Sequence, residues 1–195
     1  MRDVQHAMRE TAEQVLDVSG ALDSKQIDSF IQALLGAKRI FVVGAGRSGL
    51  VARAFAMRLM HLGLDTHVVG ETITPSLRKG DLLVAVSGSG ETSLTVSAAE
   101  IAKKIGVKIA TVTSYPKSAL ARTSDYIVIL PGRAKTESTT DFLHRELLGE
   151  HPSFAPLGTM FEIAALVFLD GVVAGLMTAL GKREEDLRAR HATIE

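Results

Sequence analysis

Residues Asp81 to Ser93 read DLLVAVSGSGETS, and the succession of residue types in that stretch decides the fold. Leu82 to Val86 form a short unbroken apolar run, the mark of a strand buried on both faces. After Glu91 the apolar positions Leu94, Ala98, Ile101, Ala102 and Ile105 recur at helical spacing. Between strand and helix lies Ser87-Gly88-Ser89-Gly90-Glu91-Thr92. Gly88 and Gly90 let the backbone turn tightly and approach a ligand with no Cβ in the way, so that successive N–H groups converge on one concavity. The helix behind adds free N–H groups and the positive end of its dipole, both of which favour a doubly charged phosphate. Ser87, Ser89 and Thr92 supply hydroxyls, and no Lys or Arg lies in the loop, so dipoles and hydrogen bonds would hold the anion. A Gly/Ser turn with an N-cap is the alternative for SGSG alone; the strand before and the helix after favour a phosphate cradle.

Working outward, the same alternation recurs. Strand candidates are Arg39–Val43, Thr66–Val69, Leu82–Val86, Lys108–Thr113 and Tyr126–Leu130, most of them rich in β-branched residues. Helical patterns fill Ser48–Leu62 and Thr92–Ile105, with a shorter one at Ser118–Thr123. Two helices precede the first strand, over Asp3–Val18 and from Ser24 to Leu35, with Gly36 as a stop. Strands alternating with helices predict an α/β fold, a doubly wound five-stranded parallel sheet flanked by helices and flavodoxin-like. Ligands in that architecture bind at the carboxyl ends of the strands, where both glycine-rich loops fall. No linker divides the chain, so residues 1–195 are expected to form one domain: N-terminal helices to 36, a binding core to 132, a polar loop to 158 and a C-terminal helical segment.

The first of those loops, Gly44-Ala45-Gly46-Arg47-Ser48-Gly49, is a literal G-x-G-x-x-G between strand and helix. Glu71, 22 residues past Gly49, stands where a ribose-binding acid would for a dinucleotide. Against that reading, such an enzyme needs a further half-sheet or substrate domain, and SGSGET would be left unexplained. Leu50 and Val51 stand where a nucleotide-binding P-loop needs Lys and Ser/Thr, and neither Ser48 nor Ser89 fits a G-x-S-x-G nucleophile elbow.

Composition limits what the loops can serve. Hydrophobic residues at 46% and charged residues at 23% describe a globular chain with ample core, and 22 basic residues balance 22 acidic ones. No net basic field exists to draw nucleic acid or an anionic membrane. Cysteine is absent, which removes disulfides, thiolate catalysis and Cys-ligated zinc. The charged segment MRDVQHAMRETAEQV lacks an apolar signal core, and a cytoplasmic location is expected. Ile163 to Leu180 is apolar enough to raise the membrane question, but Asp170 near its centre would cost about 2.5–3.5 kcal/mol in a bilayer. A helix apolar on nearly every face is expected to be covered by a second subunit as well as by its own sheet, so a homo-oligomer is predicted.

The paired loops, with their flanks, carry a family resemblance. The stretches FVVGAGRSGLVARAFAMRLMHLG (Phe41–Gly63), VVGETITPSLRKGDLLVAVSGSGETS (Val68–Ser93), PLGTMFE (Pro156–Glu162) and RHATIE at the C-terminus span most of the chain. SGSGET resembles the loop of the SIS (sugar isomerase) domain; its combination with AMRLMHLG, GETITP and PLGTMFE resembles, more narrowly, the 6-phospho-3-hexuloisomerase family. The segment Lys135–Ala155 is longer and more polar than that family's pattern. The resemblance implies interconversion of D-arabino-hex-3-ulose 6-phosphate and fructose 6-phosphate through a cis-enediol, with no redox cofactor and no metal required. It implies a tetramer rather than a dimer, and coupling to hexulose-6-phosphate synthase in formaldehyde fixation. Glu162 would be the base. Ser87, Gly88, Ser89, Gly90, Glu91 and Thr92 would bind the phosphate, with Ser48 and Arg47 contacting substrate from the first loop.

Each implied role has a structural alternative. Thr159-Met160-Phe161-Glu162 is a capping box, T-x-x-E, ahead of an apolar helix, which would make Glu162 a cap. His61 follows a helix of core-like residues and reads by itself as a satisfied structural group; its place in RLMHLG, within the family resemblance, implies an acid for ring opening or for polarising the carbonyl. His191 lies in the charged tail EEDLRARHATIE, a solvated helix end unless it reaches a neighbouring subunit's site. His6, His67, His144 and His151 show no metal-ligand spacing. A non-catalytic sugar-phosphate sensor would keep SGSGET without needing Glu162, and a nicotinamide oxidoreductase remains the third class.

Overall fold

A computed structural model describes residues 2–131 and 159–191. Two helices, α1 (Arg2–Ala21) and α2 (Ser24–Gly36), lead into an alternating core. That core runs β1 (Ile40–Gly44), α3 (Gly46–His61), β2 (Thr66–Val68), β3 (Leu82–Val86), α4 (Ser93–Ile105), β4 (Lys108–Thr113), α5 (Ala119–Thr123) and β5 (Tyr126–Ile129). A long helix, α6 (Thr159–Leu180), and a short one, α7 (Glu184–Arg188), complete it. Every expected element is present, with ends within three residues of the sequence-based limits. The polar segment Lys135–Ala155 lies outside the described residues.

All four strand pairings are parallel and the order is β2-β1-β3-β4-β5, the flavodoxin-like arrangement. Within each strand the side chains alternate between two cores. Ile40, Val42, Leu82, Val84 and Val86 face a larger core shared with α2, α3 and α6. Phe41, Val43, Leu83 and Ala85 face a smaller one shared with α4 and α5. Both faces are therefore covered, which is why these strands read as continuous apolar runs rather than as alternating ones. Each fully buried Leu or Phe here contributes about 1.5–3 kcal/mol relative to exposure.

Helix α6 is long and apolar enough to cross a membrane by length and composition alone, yet it is a core element. It buries Met160, Ala164, Ala165, Phe168, Leu169, Val172, Val173 and Leu176 along one stripe against α1, α2 and α3. Its other face leaves Leu166 and Val167 exposed.

At the amino ends of the strands, Arg39 and Asp81 brace β1 to β3. Nε and Nη2 of Arg39 donate to the two Asp81 oxygens at 3.0 and 2.6 Å, and the Arg78 N–H donates to Oδ2 at 2.7 Å. Burial pushes the Asp81 carboxyl up, but these donors and the two arginine charges outweigh it, so the net direction is below the ordinary 3.8. A carboxyl depressed in the folded state stabilises the fold above its unfolded pKa and loses that contribution as pH falls through the folded value. Asp81→Asn is expected to lower the urea midpoint at pH 7. The gap to wild type should narrow as pH is taken from about 4 towards 2; a gap that does not depend on pH would refute the charge pairing.

Candidate active site

Gly44 at the end of β1 pairs with Val86 at the end of β3, so the two glycine-rich loops begin at the same height on adjacent strands. From there the chain departs in opposite directions. After β1 it crosses through α3 to β2 on one side, and after β3 through α4 to β4 on the other. Helices α3 and α4 bury their apolar sides in different cores, Val51, Phe55 and Leu59 in one, Ala99 and Ala102 in the other. The loops are thus drawn apart over the β1/β3 junction, which opens a crevice where open α/β sheets bind ligands.

The second loop is shaped by its own hydroxyls and glycines. Ser87 is buried, and its Oγ accepts the Gly90 N–H at 3.1 Å and lies 3.2 Å from Thr92 Oγ1. Ser89 is exposed and its Oγ accepts the Glu91 N–H at 3.2 Å. The Gly88 carbonyl accepts from Thr113 Oγ1 at 3.2 Å and from the Ser114 N–H at 3.1 Å, which fixes the loop to the end of β4. Gly90 has φ +65°, and a Cβ there would lie 2.5 Å from the Ser118 Cβ, so only glycine fits. Glu91 turns its carboxylate to the Ala119 N–H at 2.8 Å, at the start of α5, and so ties loop to helix.

The helices behind the loops differ from α2 and α5 in one respect. Asp23 caps α2 and Ser118 caps α5 through their side chains. At α4 and α3 the cap residues Thr92 and Ala45 make no such bond. The first-turn N–H groups of both crevice helices are thus left for another acceptor, together with the positive dipole ends.

The first turn of α6 closes the crevice. The Phe161 ring lies under Gly88, close enough that a Cβ on that glycine would be 2.9 Å from Phe161 Cδ1. The next residue, Glu162, is largely buried, and its Oε2 accepts from Arg47 Nε at 3.2 Å across the crevice. Thr159 is already helical, so it does not occupy the cap position of the T-x-x-E reading, and Glu162 points to the first loop instead. Ser48 is buried just behind Arg47. Phe161 and the Ser118–Thr113 support of Gly90 escaped the sequence reading; they act through contacts far apart along the chain.

His61 and His191 meet each other instead of this crevice. Their rings lie 5.0 Å apart, His61 buried and His191 exposed, with the Arg190 guanidinium against nearby Gly63. His61 ends α3, and 13 residues separate it from Ser48; at 1.5 Å per residue that is about 20 Å. Glu71, the ribose-acid candidate, is engaged by Arg53 of α3. Among the described residues no group of three or more His, Asp or Glu could hold a metal ion.

The SIS domain profile matches residues 33–144, more than half the chain. The protein belongs to the SIS domain family. A Mycobacterium gastri protein named 3-hexulose-6-phosphate isomerase is 39% identical over 99% of this chain and 92% of its own. The Bacillus subtilis protein of that name is 37% identical over 89% of each. A crystal structure from Methanococcus jannaschii, for which the molecular function of 3-hexulose-6-phosphate isomerase was inferred, covers the whole of both chains at 33% identity and a TM-score of 0.79.

In this SIS domain the cradle depends on Gly90 more than on any one hydroxyl. Gly90→Ala is expected to destabilise the protein by about 1–3 kcal/mol and to weaken phosphate-ester binding at least about tenfold. Ser89→Ala, which removes an exposed bond, is expected to cost under about 1 kcal/mol. Urea unfolding and calorimetric titration measure both, and a tolerated Gly90→Ala would refute the cradle geometry.

Proposed function

We propose that the protein is a 6-phospho-3-hexuloisomerase, the activity that the relatives' name 3-hexulose-6-phosphate isomerase denotes. The observation that carries the proposal is the position of α6: Phe161 seats on the phosphate loop while the adjacent Glu162 presents a carboxylate to the crevice. One helical turn thereby links the anchor for one end of a ketose phosphate to a base for the other. Ser87–Thr92 and the uncapped α4 terminus take the phosphate, and Ser48 contacts the sugar from the first loop.

With hex-3-ulose 6-phosphate bound, the C2–H bond breaks and its proton moves to Glu162. The bond pair forms C2=C3 as the carbonyl pair moves onto O3. The hydroxyl proton passes from O2 to O3, C3 takes the proton back from Glu162, and the carbonyl is left at C2 as fructose 6-phosphate. Atoms and charge balance without an oxidant. On this reading the substrate would be the product of a hexulose-6-phosphate synthase, and the protein would act in the ribulose monophosphate route of formaldehyde fixation, in the cytoplasm.

Hexulose 6-phosphate made in place from formaldehyde and ribulose 5-phosphate, with fructose 6-phosphate followed by a coupled assay, tests the activity. Glu162→Gln should fold normally and lose about 10²–10⁴-fold in kcat. A variant keeping most of its turnover would turn the reading towards a different base, and retained binding without any wild-type turnover towards a sensor.

The assembly proposed is a homotetramer. Leu50, Arg53, Met57 and Met60 follow a 3-4-3 spacing along α3, and the three apolar ones are 68, 42 and 43% exposed. A two-fold axis at the middle of that stripe would set Leu50 against the partner's Met60 and bring the partner's His61 and the partner's His191 towards Gly49, completing a site that one chain leaves without them. A second apolar face, a groove of about 270 Å³ between α1, α2 and α6 lined by Val15, Leu22, Val167 and Phe168, would serve as the second interface that a dihedral tetramer needs. Met57→Glu is expected to reduce the mass measured by light scattering and to lower turnover with it; an unchanged mass would sink the α3 seam.

A further inference from the structure

We propose that Arg47 is a catalytic residue that serves the base and the intermediate in turn: its guanidinium holds the ionised Glu162 carboxylate in the resting site and stabilises the enediolate once the proton has moved. The proposal rests on the reading of Glu162 as the base. Its geometry is unequal in an informative way. The Glu162 side chain is 13% exposed and that of Arg47 is 57% exposed, so the carboxylate is held while the cation reaches it from the open side. Contact is made through Nε alone, and among the described residues neither terminal nitrogen of Arg47 has a hydrogen-bond partner. A guanidinium carries five donors in a fixed fork, so the two terminal nitrogens remain able to engage a substrate oxygen while Nε keeps the carboxylate.

Folding gives little reason for the pair. An ion pair with one partner this exposed adds little to stability. Arg47 also occupies the first turn of α3, where the helix dipole disfavours a cation. The position makes chemical sense if the site must present the same cation to a migrating negative charge. Before the step the charge is on Glu162. Afterwards Glu162 is neutral and the charge is on the enediolate oxygen. The charge moves from a carboxylate reached through Nε alone to an oxygen that the two terminal nitrogens can engage, so the guanidinium holds the enediolate more strongly than the resting carboxylate. On the proposed reading the phosphate would be held by Gly88 and the α4 terminus, whose N–H groups need no share of Arg47.

The test compares Arg47→Met and Arg47→Lys with wild type in turnover, and in calorimetric binding of two ligands: fructose 6-phosphate, a ground-state ligand, and a phosphorylated aldonohydroxamate, whose planar anionic group mimics an enediolate. Thermal melts confirm folding of each variant. Arg47→Met should lose about 10²–10³-fold in kcat, with KM changed by less than about threefold. Its affinity for the hydroxamate should fall about 100-fold while that for fructose 6-phosphate holds within about threefold. Arg47→Lys should recover only part of either loss, since an ammonium lacks the fork. An equal loss of both ligands, or a raised KM with kcat kept, would overturn the proposal and make Arg47 a simple substrate clamp. A wild type silent on hexulose 6-phosphate would overturn the substrate assignment separately, because the two binding constants decide Arg47 without turnover.

Discussion

Two helices begin side by side over the β1/β3 junction with no side chain capping either of them, and the site is built round that vacancy in hydrogen bonding. A backbone N–H aimed at an anion is a rigid dipole, already oriented before the ligand arrives. A lysine in the same place would have to be ordered on binding, at a cost in rotamer freedom. The loop therefore presents its donors preorganised, and the preorganisation is enforced by packing. Gly90 is held between Ser118 and Thr113, Gly88 rests on Phe161, and the buried Ser87 hydroxyl closes the turn. Every one of those supports comes from a different element, so the loop's shape is a property of the whole sheet end.

That explains which parts were legible in the sequence. Strands buried on both faces must be unbroken apolar runs, and Leu82–Val86 and Lys108–Thr113 show their limits without any structure. Strand β1 extends one residue further than its apolar run because Gly44 still pairs with Val86, a bond that the partner strand supplies. The glycine- and serine-rich loop after β3 was legible because its residues are contiguous. Its finer roles were not. Ser87 and Glu91 read as ligand contacts by residue type; in the fold the first also pins the turn and the second also ties the loop to α5. Residue type says what a side chain can bond; only tertiary placement says which bond is made.

Glu162 shows the same limit from the other side. Locally, T-x-x-E ahead of an apolar helix is a cap, and the partner that redirects the carboxylate stands 115 residues away. His61 and His191 are a parallel case: each was weighed alone, whereas α7 returns the tail across the end of α3 and stacks the two rings. Helix arithmetic settles where that pair is within one chain, at the opposite end of α3 from the first loop. A role for it in catalysis thus becomes a question about assembly.

The distribution of charge along the strand axis gives the fold its division of labour. At the amino ends the sheet is braced by full ion pairs, Arg39–Asp81 between β1 and β3 and Lys108–Asp125 between β4 and β5, and both carboxyls are held below their usual range despite burial, which pushes them up. At the carboxyl ends of β1 and β3 the loops that form the crevice offer glycines, hydroxyls and bare N–H groups, with Arg47 and Glu162 facing each other above them. Charges that stabilise the fold are kept about a strand's length, roughly 17–20 Å, from the charge that moves in the reaction. At that distance, beyond a Debye length at physiological salt, a change in the site's ionisation is little felt by the braces. The α6 helix repeats the pattern in one element: one face of its middle is apolar and anchors the core, Asp170 is turned outward, and the first turn carries the Glu162 carboxylate. The base proposed at Glu162, so placed, can change its protonation state at each turnover without loosening the packing that aims it.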